Sequence, residues 1–387
     1  MNRRTTSLLA LAAVALVGCE QVPASAPSAD LALEAYYDTI PDSALPKAPA
    51  GLALPASDAV LTRILVGSCH NEEMDDPALS QIASMDADLF MMIGDNVYGD
   101  RDGPRYVQND PDLTELQESF SDLSRQPEFT ALRAKHPMMV AWDDHDYGAN
   151  DAGREFPFRR FAERIHENFW GLNSEPDVAG RDGTYYARSF GPDGQRVQVI
   201  MLDTRFFRSG LTGTDEWGAK GKERYVPSTD PAQTMLGDAQ WRWLAEELKK
   251  PADIRLLVSS IQVLPEVHGY EAWSTMPLER QKLFSEIKAS GAEGVIFVSG
   301  DRHTGFLYKD DSVLGHKAYE LTSSSLNVSF QDKSDEYDSR QIGDGVAIEN
   351  IGDISIDWEA RKVKLALLDK AGKTVIEKVI GLDEIGL

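Results

Sequence analysis

Six short apolar runs constrain what this chain can fold into. "ILVGS", "DLFMMIG", "HPMMVAW", "VQVIMLD", "IRLLVSS" and "GVIFVSG" follow one another between residues 64 and 300. None approaches the roughly 20 residues that cross a bilayer. All are apolar at successive rather than alternate positions, which predicts strands buried on both faces. Between several of them lie "DPALSQIASM", "LTELQESFSDLSRQPEFTALRAK", "FRRFAERIHENFWG", "DAQWRWLAEELKK" and "PLERQKLFSEIKAS", whose Trp, Leu and Phe recur at helical spacing. Strands alternating with helices predict a largely parallel sheet covered by helices. After residue 304 the helical pattern stops, and "KAYELTSS", "VAIENIGDISIDWE", "KVKLALLDKAG" and "TVIEKVIG" predict antiparallel strands. The expected class is α/β, grading into α+β at the C-terminus. The Gly-, Asp- and Thr-rich stretches 99–112 and 208–235 predict surface loops.

The residues that close these runs point to chemistry. The first ends at Cys69 and His70, the second at Asp95 with Tyr98 behind it, and the third at Asp143, Asp144 and His145. The fourth closes on Asp203 with Arg205, the fifth near Gln262, and the sixth at Asp301 and His303. Open α/β sheets bind ligands beyond the carboxyl ends of their strands. One Asp in such a place is ordinarily a turn or helix cap, but donors at six successive strand ends predict a polynuclear metal site. Clustered carboxylates beside histidine need a multivalent cation to offset their repulsion. Thiolate, imidazole and phenolate ligands suit iron or zinc, whereas carboxylate-rich positions suit calcium, magnesium or manganese. A mixed donor set therefore predicts two unlike metals sharing a carboxylate, an arrangement that displaces leaving groups from phosphorus.

The rest of the chain narrows the setting. Arg3 and Arg4 precede "SLLALAAVALVG", an apolar run that closes on Cys19. This is the pattern of a lipoprotein signal peptide over residues 1–18, with Cys19 as the lipidated residue. Residues 19–57, rich in Ala, Pro and Ser, predict a tether, and residues 58–387 one catalytic domain. The expected location is the cell envelope, on the periplasmic face, held to the membrane by the N-terminal lipid. With Cys19 so used, Cys69 has no disulfide partner in a chain of two cysteines. It is either an inert core thiol or a metal ligand. The net charge of −24 excludes a phosphate-backbone binder, so no nucleic-acid surface is expected.

"GSCHNE", "MIGDNVYGD", "AWDDHDYGAND", "LDTRFFR", "LGDAQWRWL", "HGYEAW" with "PLERQKLF", and "VSGDRHTG" together resemble the successive signatures of the PhoD-like (alkaline phosphatase D) family, over roughly residues 60–330. The resemblance implies a metallophosphoesterase fold, a four-layer β-sandwich flanked by helices, with Fe3+ and Ca2+ in a dinuclear or larger cluster. It places Cys69, Asp95, Tyr98 and His303 on iron. It gives Asp95 to both metals and completes the second site with Asp144 and Asp301, joined by Asp143 and Gln262. Other divalent metals are compatible with the same oxygen donors.

The residues themselves agree. Asp95 and Tyr98 lie across a tight turn between Gly94 and Gly99 and can face one ion. His145 can protonate a leaving group or steady the phosphate, or it can support a ligand by hydrogen bonding. Arg205, Arg154 and Arg302 are candidate phosphate contacts, or partners of acidic neighbours. No Gly-x-Ser-x-Gly is present, so the expected reaction is hydrolysis of a phosphate ester, monoester or diester, by a metal-bound hydroxide. Three other readings stay open. The same metals can cleave lipid or cell-wall polymer diesters. Cys69 with His70 or His303 can form a thiol hydrolase dyad. A surface lipoprotein can use metal for folding alone.

Overall fold

The computed structural model describes residues 29–101, 109–330 and 337–387. Cys19 and the expected signal peptide lie outside them. Two compact units divide the chain at residue 39. The first contributes one helix, α1 (Ala29–Tyr37).

The second unit begins its regular structure with β1 (Arg63–Gly67), α2 (Pro77–Ser84) and β2 (Leu89–Ile93), then α3 (Thr114–Arg125), α4 (Pro127–Lys135) and β3 (Met138–Ala141). A single turn, α5 (Asp144–Tyr147), leads to α6 (Arg159–Trp170) and to β4 (Tyr186–Phe190) and β5 (Val197–Met201). Next come α7 (Gly237–Glu247), β6 (Ile254–Val258), α8 (Pro277–Ser290) and β7 (Val295–Ser299). The chain finishes in β8 (Phe306–Asp310), β9 (Ala318–Thr322), β10 (Asn350–Asp357), β11 (Lys362–Asp369) and β12 (Thr374–Gly381).

These strands form two six-stranded mixed sheets, ordered β12-β11-β10-β1-β2-β3 and β4-β5-β6-β7-β9-β8. Each has a parallel centre: β1-β2-β3 in one, β5-β6-β7-β9 in the other. The result is an α/β sandwich. Every residue of β2, β5, β6, β7 and β9 is buried, as expected of strands covered on both faces. The core beside the second sheet is Trp241, Leu244 and Leu248 of the α7 region, with Leu283, Phe284 and Ile287 of α8, packed on β5, β6 and β7.

Four details differ from the sequence pattern. The single helical stretch over 113–135 breaks into α3 and α4, because Pro127 pushes Gln126 into an extended conformation (φ −68°, ψ 127°). The strand β9 is not antiparallel throughout. It pairs parallel with β7, and β8 turns back antiparallel on its outer side. Edge strands β4 and β8 carry polar residues that mask a strand pattern. Part of the Ala- and Pro-rich stretch lies on the domain: Ala48 N–H donates to Phe169 O (3.0 Å), Leu52 N–H to Arg133 O (3.1 Å), and Asn168 to Pro46 O (2.9 Å).

Candidate metal centre

The strand ends are turned by unusual backbone. Cys69, Asp95, Asp301 and His303 all have positive φ, 54°, 50°, 65° and 55°. Left-handed conformations cost a non-glycine residue roughly 1–3 kcal/mol each, so the surroundings must hold them. Cys69 N–H donates to Gly94 O (3.2 Å), His70 N–H to Asp95 O (2.8 Å) and His303 N–H to Ser324 Oγ (2.6 Å). Gly94 itself (φ 114°) has no room for a side chain, since a Cβ there would stand 2.7 Å from Asp143 Cβ. These turns bring donors from three strand ends, those of β1, β2 and β7, to one point.

Ligand atoms of Cys69, Asp95 and His303 lie within 4.8 Å of one another, and so do those of Asp95, Asp143, Asp144 and Asp301. Asp95 belongs to both groups, as a shared carboxylate requires. Further groups at this spacing join Asp95 and Asp144 to His145, and Asp144 to Asp151 and Glu271. The Tyr98 ring centroid is 4.2 Å from that of His145 and 6.3 Å from that of His303.

Tyr98 Oη, Asp143 Oδ2 and Asp144 Oδ1 are fully buried here and have no hydrogen-bond partner among the described residues. Their fellow oxygens are satisfied. Asp143 Oδ1 accepts from Arg205 Nε (2.6 Å) and Ser260 Oγ (2.7 Å), and Asp144 Oδ2 from Asp151 N–H (2.7 Å). Orphaned buried acceptors are costly, and a cation between them removes the cost. The donor set of one thiol, one imidazole, one phenol and four carboxylates fits a pair of unlike metal ions.

Electrostatics agree. Burial, joined by the neighbouring Cys69 and Asp144, raises the Asp95 carboxyl well above the usual range. Burial and the carboxylates of Asp143 and Asp144 do the same to Asp301. Burial pushes the Cys69 thiol up to about 11 and lifts the Tyr98 phenol well above its ordinary value. Burial also opposes ionisation of Asp144, but His145, Arg205 and the Asp151 amide outweigh it and hold that carboxyl low.

The other expected site residues fall outside the donor cluster. Arg205 is fully enclosed. It grips Asp143 through Nε and Nη2, and Nη2 also meets Glu271 Oε2 at 2.6 Å. Its guanidinium therefore acts on the centre through Asp143. Gln262 is committed at both ends, donating to Thr322 Oγ1 (3.0 Å) and Tyr308 Oη (3.3 Å) while its carbonyl faces His268 Nε2 (3.0 Å). Arg154 is exposed beside Arg159 and Asp182, in a different depression. Arg302 lies over the Tyr270 ring at 4.5 Å, in the wall of a cleft of about 80 Å³ that opens onto Asp144, His145, Asp301 and His303. His70 is turned away, with Nδ1 on Asn96 O (3.0 Å) and Nε2 on Asp76 (2.6 Å). It offers no base to Cys69. Asp203 braces a turn, accepting from the amides of Arg205 (2.8 Å) and Phe206 (2.9 Å).

Sequence reasoning missed several residues of this site. Glu271 sits within "HGYEAW" as a lone acid among aromatic and apolar neighbours, which was a usable signal. Asp146, which closes the third run with Asp143 and Asp144 and was legible there, braces that strand end instead of joining the donors, accepting from Asp143 N–H (2.7 Å) and Asn96 N–H (3.1 Å). Arg101, Asn150, Asp151, Arg224 and Tyr270 line the cleft from irregular segments, where no periodicity marks them.

A two-sheet α/β sandwich with a buried acid, thiol and imidazole centre at its strand ends defines the class of protein. The model of the PhoD-like phosphatase family matches residues 64–377, and the chain belongs to that family. It is 25% identical over 284 residues to alkaline phosphatase D of Bacillus subtilis (strain 168), an alignment covering 64% of this chain and 46% of that protein. The chain thus spans about half the length of this curated relative. Among solved structures, PhoD superposes with a TM-score of 0.62 at 17% identity, over 85% of this chain and 70% of that one. GAP50, the anchor in the inner membrane complex of Plasmodium, gives 0.51 at 12% identity, over 83% and 89%. At these identities the two structures speak for the fold.

Proposed function

We propose that this chain is an exported, metal-dependent phosphoric ester hydrolase. The observation that carries the reading is the trio of buried, unpartnered oxygens on Tyr98, Asp143 and Asp144, set among the carboxylates, thiol and imidazole of Asp95, Asp301, Cys69 and His303. In this reading Cys69, Asp95, Tyr98 and His303 hold iron(III), while Asp95, Asp143, Asp144 and Asp301 hold calcium. Bound there, the metals supply charge that offsets the phosphoryl oxygens and makes water acidic enough to attack at neutral pH.

The chain supplies the rest. Arg205 fixes Asp143, and the Asp151 amide fixes one oxygen of Asp144, so the other oxygens stay aimed inward. His145 is oriented by Asp100 through Nδ1 (2.5 Å), which leaves Nε2 to hold a proton for the leaving oxygen. Arg302, in the cleft wall, is the guanidinium that would meet phosphate oxygens in this reading. Export and membrane attachment through lipidated Cys19 complete the proposal, supported by the leader pattern. Among the described residues no helix is long and apolar enough to cross a membrane.

The test is turnover of p-nitrophenyl phosphate and of bis(p-nitrophenyl) phosphate, with metal analysis of the same preparation. Chelation should abolish turnover, and iron with calcium should restore it. Undiminished turnover by metal-free protein refutes the metal dependence, and metal without turnover of either ester refutes the catalysis.

A further inference from the structure

Among the residues lining the cleft are the guanidiniums of Arg101, Arg224 and Arg302, and Arg224 comes from an element outside the metal centre. Residues 213–225 form a small hairpin. Gly213 bridges Tyr225, Thr214 N–H donates to Arg224 O (2.8 Å), and Gly218 N–H to Glu223 O (2.9 Å). Its returning arm is fastened to the segment before Tyr270, because the amides of Arg224 and Tyr225 both donate to Gly269 O (2.9 and 2.7 Å). The side chains of the same two residues close on one acceptor. Asp151 Oδ2 takes Arg224 Nη1 at 2.8 Å and Tyr225 Oη at 2.7 Å.

Asp151 stands between this hairpin and the centre. Its amide is on Asp144 and its carboxylate on Arg224. Arg224 is therefore fixed by one edge of its guanidinium, while Nε and Nη2 take no protein acceptor among the described residues. The side chain is 37% exposed and lines the cleft. It lies 5.8 Å from the Tyr270 ring centroid, and Arg302 lies 4.5 Å from the same centroid. A ring flanked by two guanidiniums that line the cleft, one with a donor edge that no described residue takes, is a preorganised anion receptor. Because Asp151 separates Arg224 from Asp144, that receptor addresses a part of the ligand beyond the phosphorus.

We propose that Arg224 is a specificity-determining residue selecting phosphate esters whose alcohol side carries a second anionic group, a carboxylate or a further phosphate. The planar fork of Arg224 pairs with two oxygens of that group, and Tyr270 supports it from beneath. The proposal rests on the phosphohydrolase reading above and adds a substrate class to it.

The test compares phenyl phosphate, carboxyphenyl phosphate and phenylene bisphosphate on the metal-loaded enzyme and on Arg224→Met, with thermal midpoints as the folding control. A charge-assisted pair removed from the bound ester costs about tenfold to a hundredfold. That loss in kcat/KM is expected on carboxyphenyl phosphate, on phenylene bisphosphate, or on both, which identifies the anion. Phenyl phosphate should be nearly unaffected, and Arg224→Lys should recover part of the loss. Equal losses on all three esters, or none, overturn the proposal. Calorimetric binding of pyrophosphate against phosphate gives a readout independent of turnover. The wild type should prefer pyrophosphate more strongly than Arg224→Met does, and an identical preference in the two overturns the proposal. Should the wild type hydrolyse none of the esters, the phosphohydrolase reading fails, while the calorimetry still decides whether Arg224 recognises the second anion.

Discussion

Arg205→Met is the sharpest probe of how this centre is built. The side chain is fully buried and directs its donors at Asp143 and Glu271. Removing one member of a buried ion pair typically costs 3–5 kcal/mol, because a charge is left without compensation. Here the two carboxylates are stranded unequally. Glu271 keeps Arg208 at 2.8 Å, whereas Asp143 Oδ1 keeps only the Ser260 hydroxyl. The expected loss is therefore at the lower end, about 3 kcal/mol. It should show in urea denaturation as a lower midpoint with an unchanged slope. Asp143→Asn in the same background should add less than its own cost, since the two side chains share one interaction. Arg205→Lys should fall between, keeping the charge but not the fork. If Arg205→Met leaves stability within about 1 kcal/mol of wild type and instead raises KM alone, the guanidinium reaches the phosphate, and the bracing role argued here is wrong.

His166 should make the fold sensitive to acid. It is wholly buried against Trp142, Phe120 and Trp170 with no hydrogen-bond partner on either ring nitrogen among the described residues, and burial depresses it from 6.5 to about 3. A depressed histidine contributes stability that is complete above its unfolded value and lost as pH falls, here between about 6.5 and 3, to a total of roughly 5 kcal/mol. The pH dependence of unfolding should be visibly shallower over that window in His166→Phe, and superimposable curves would refute the assignment. Cys69→Ser should lower iron content and shift the visible absorption expected of thiolate or phenolate on iron(III). Unchanged metal content would make Cys69 a core thiol. Cys19→Ser should move the protein from membranes to the soluble fraction, and a variant that still sediments after washing would refute the lipid anchor.

Much of this protein can be read along the chain. The short apolar runs bounded by glycine and polar residues mark the buried parallel strands, since they are too short for helices and rich in β-branched and large apolar residues. The residues closing β1, β2 and β3 mark Cys69, Asp95 and Asp144 as neighbours, because strand ends on one side of a parallel sheet lie together, whereas Asp301 and His303 follow β7 of the other sheet and reach them only through the packing of the two sheets. The break at Gln126 was also legible, since Pro127 announces it. Other features belong to tertiary structure alone. Whether Arg205 faces substrate or Asp143 depends on which side chains enclose it, and an arginine after a strand looks the same in both cases. Gln262 stands near the end of β6, yet its amide is claimed by Thr322 and Tyr308 from distant segments and by His268 six residues on. The Asp151, Arg224 and Tyr270 wall joins three irregular segments 46 to 119 residues apart in the chain, where no period of two or 3.6 residues marks the contact. Sequence determines local conformation and the alternation of buried and exposed faces through short-range sterics and hydrophobicity. The partner of each buried charge is decided only when the whole chain closes around it.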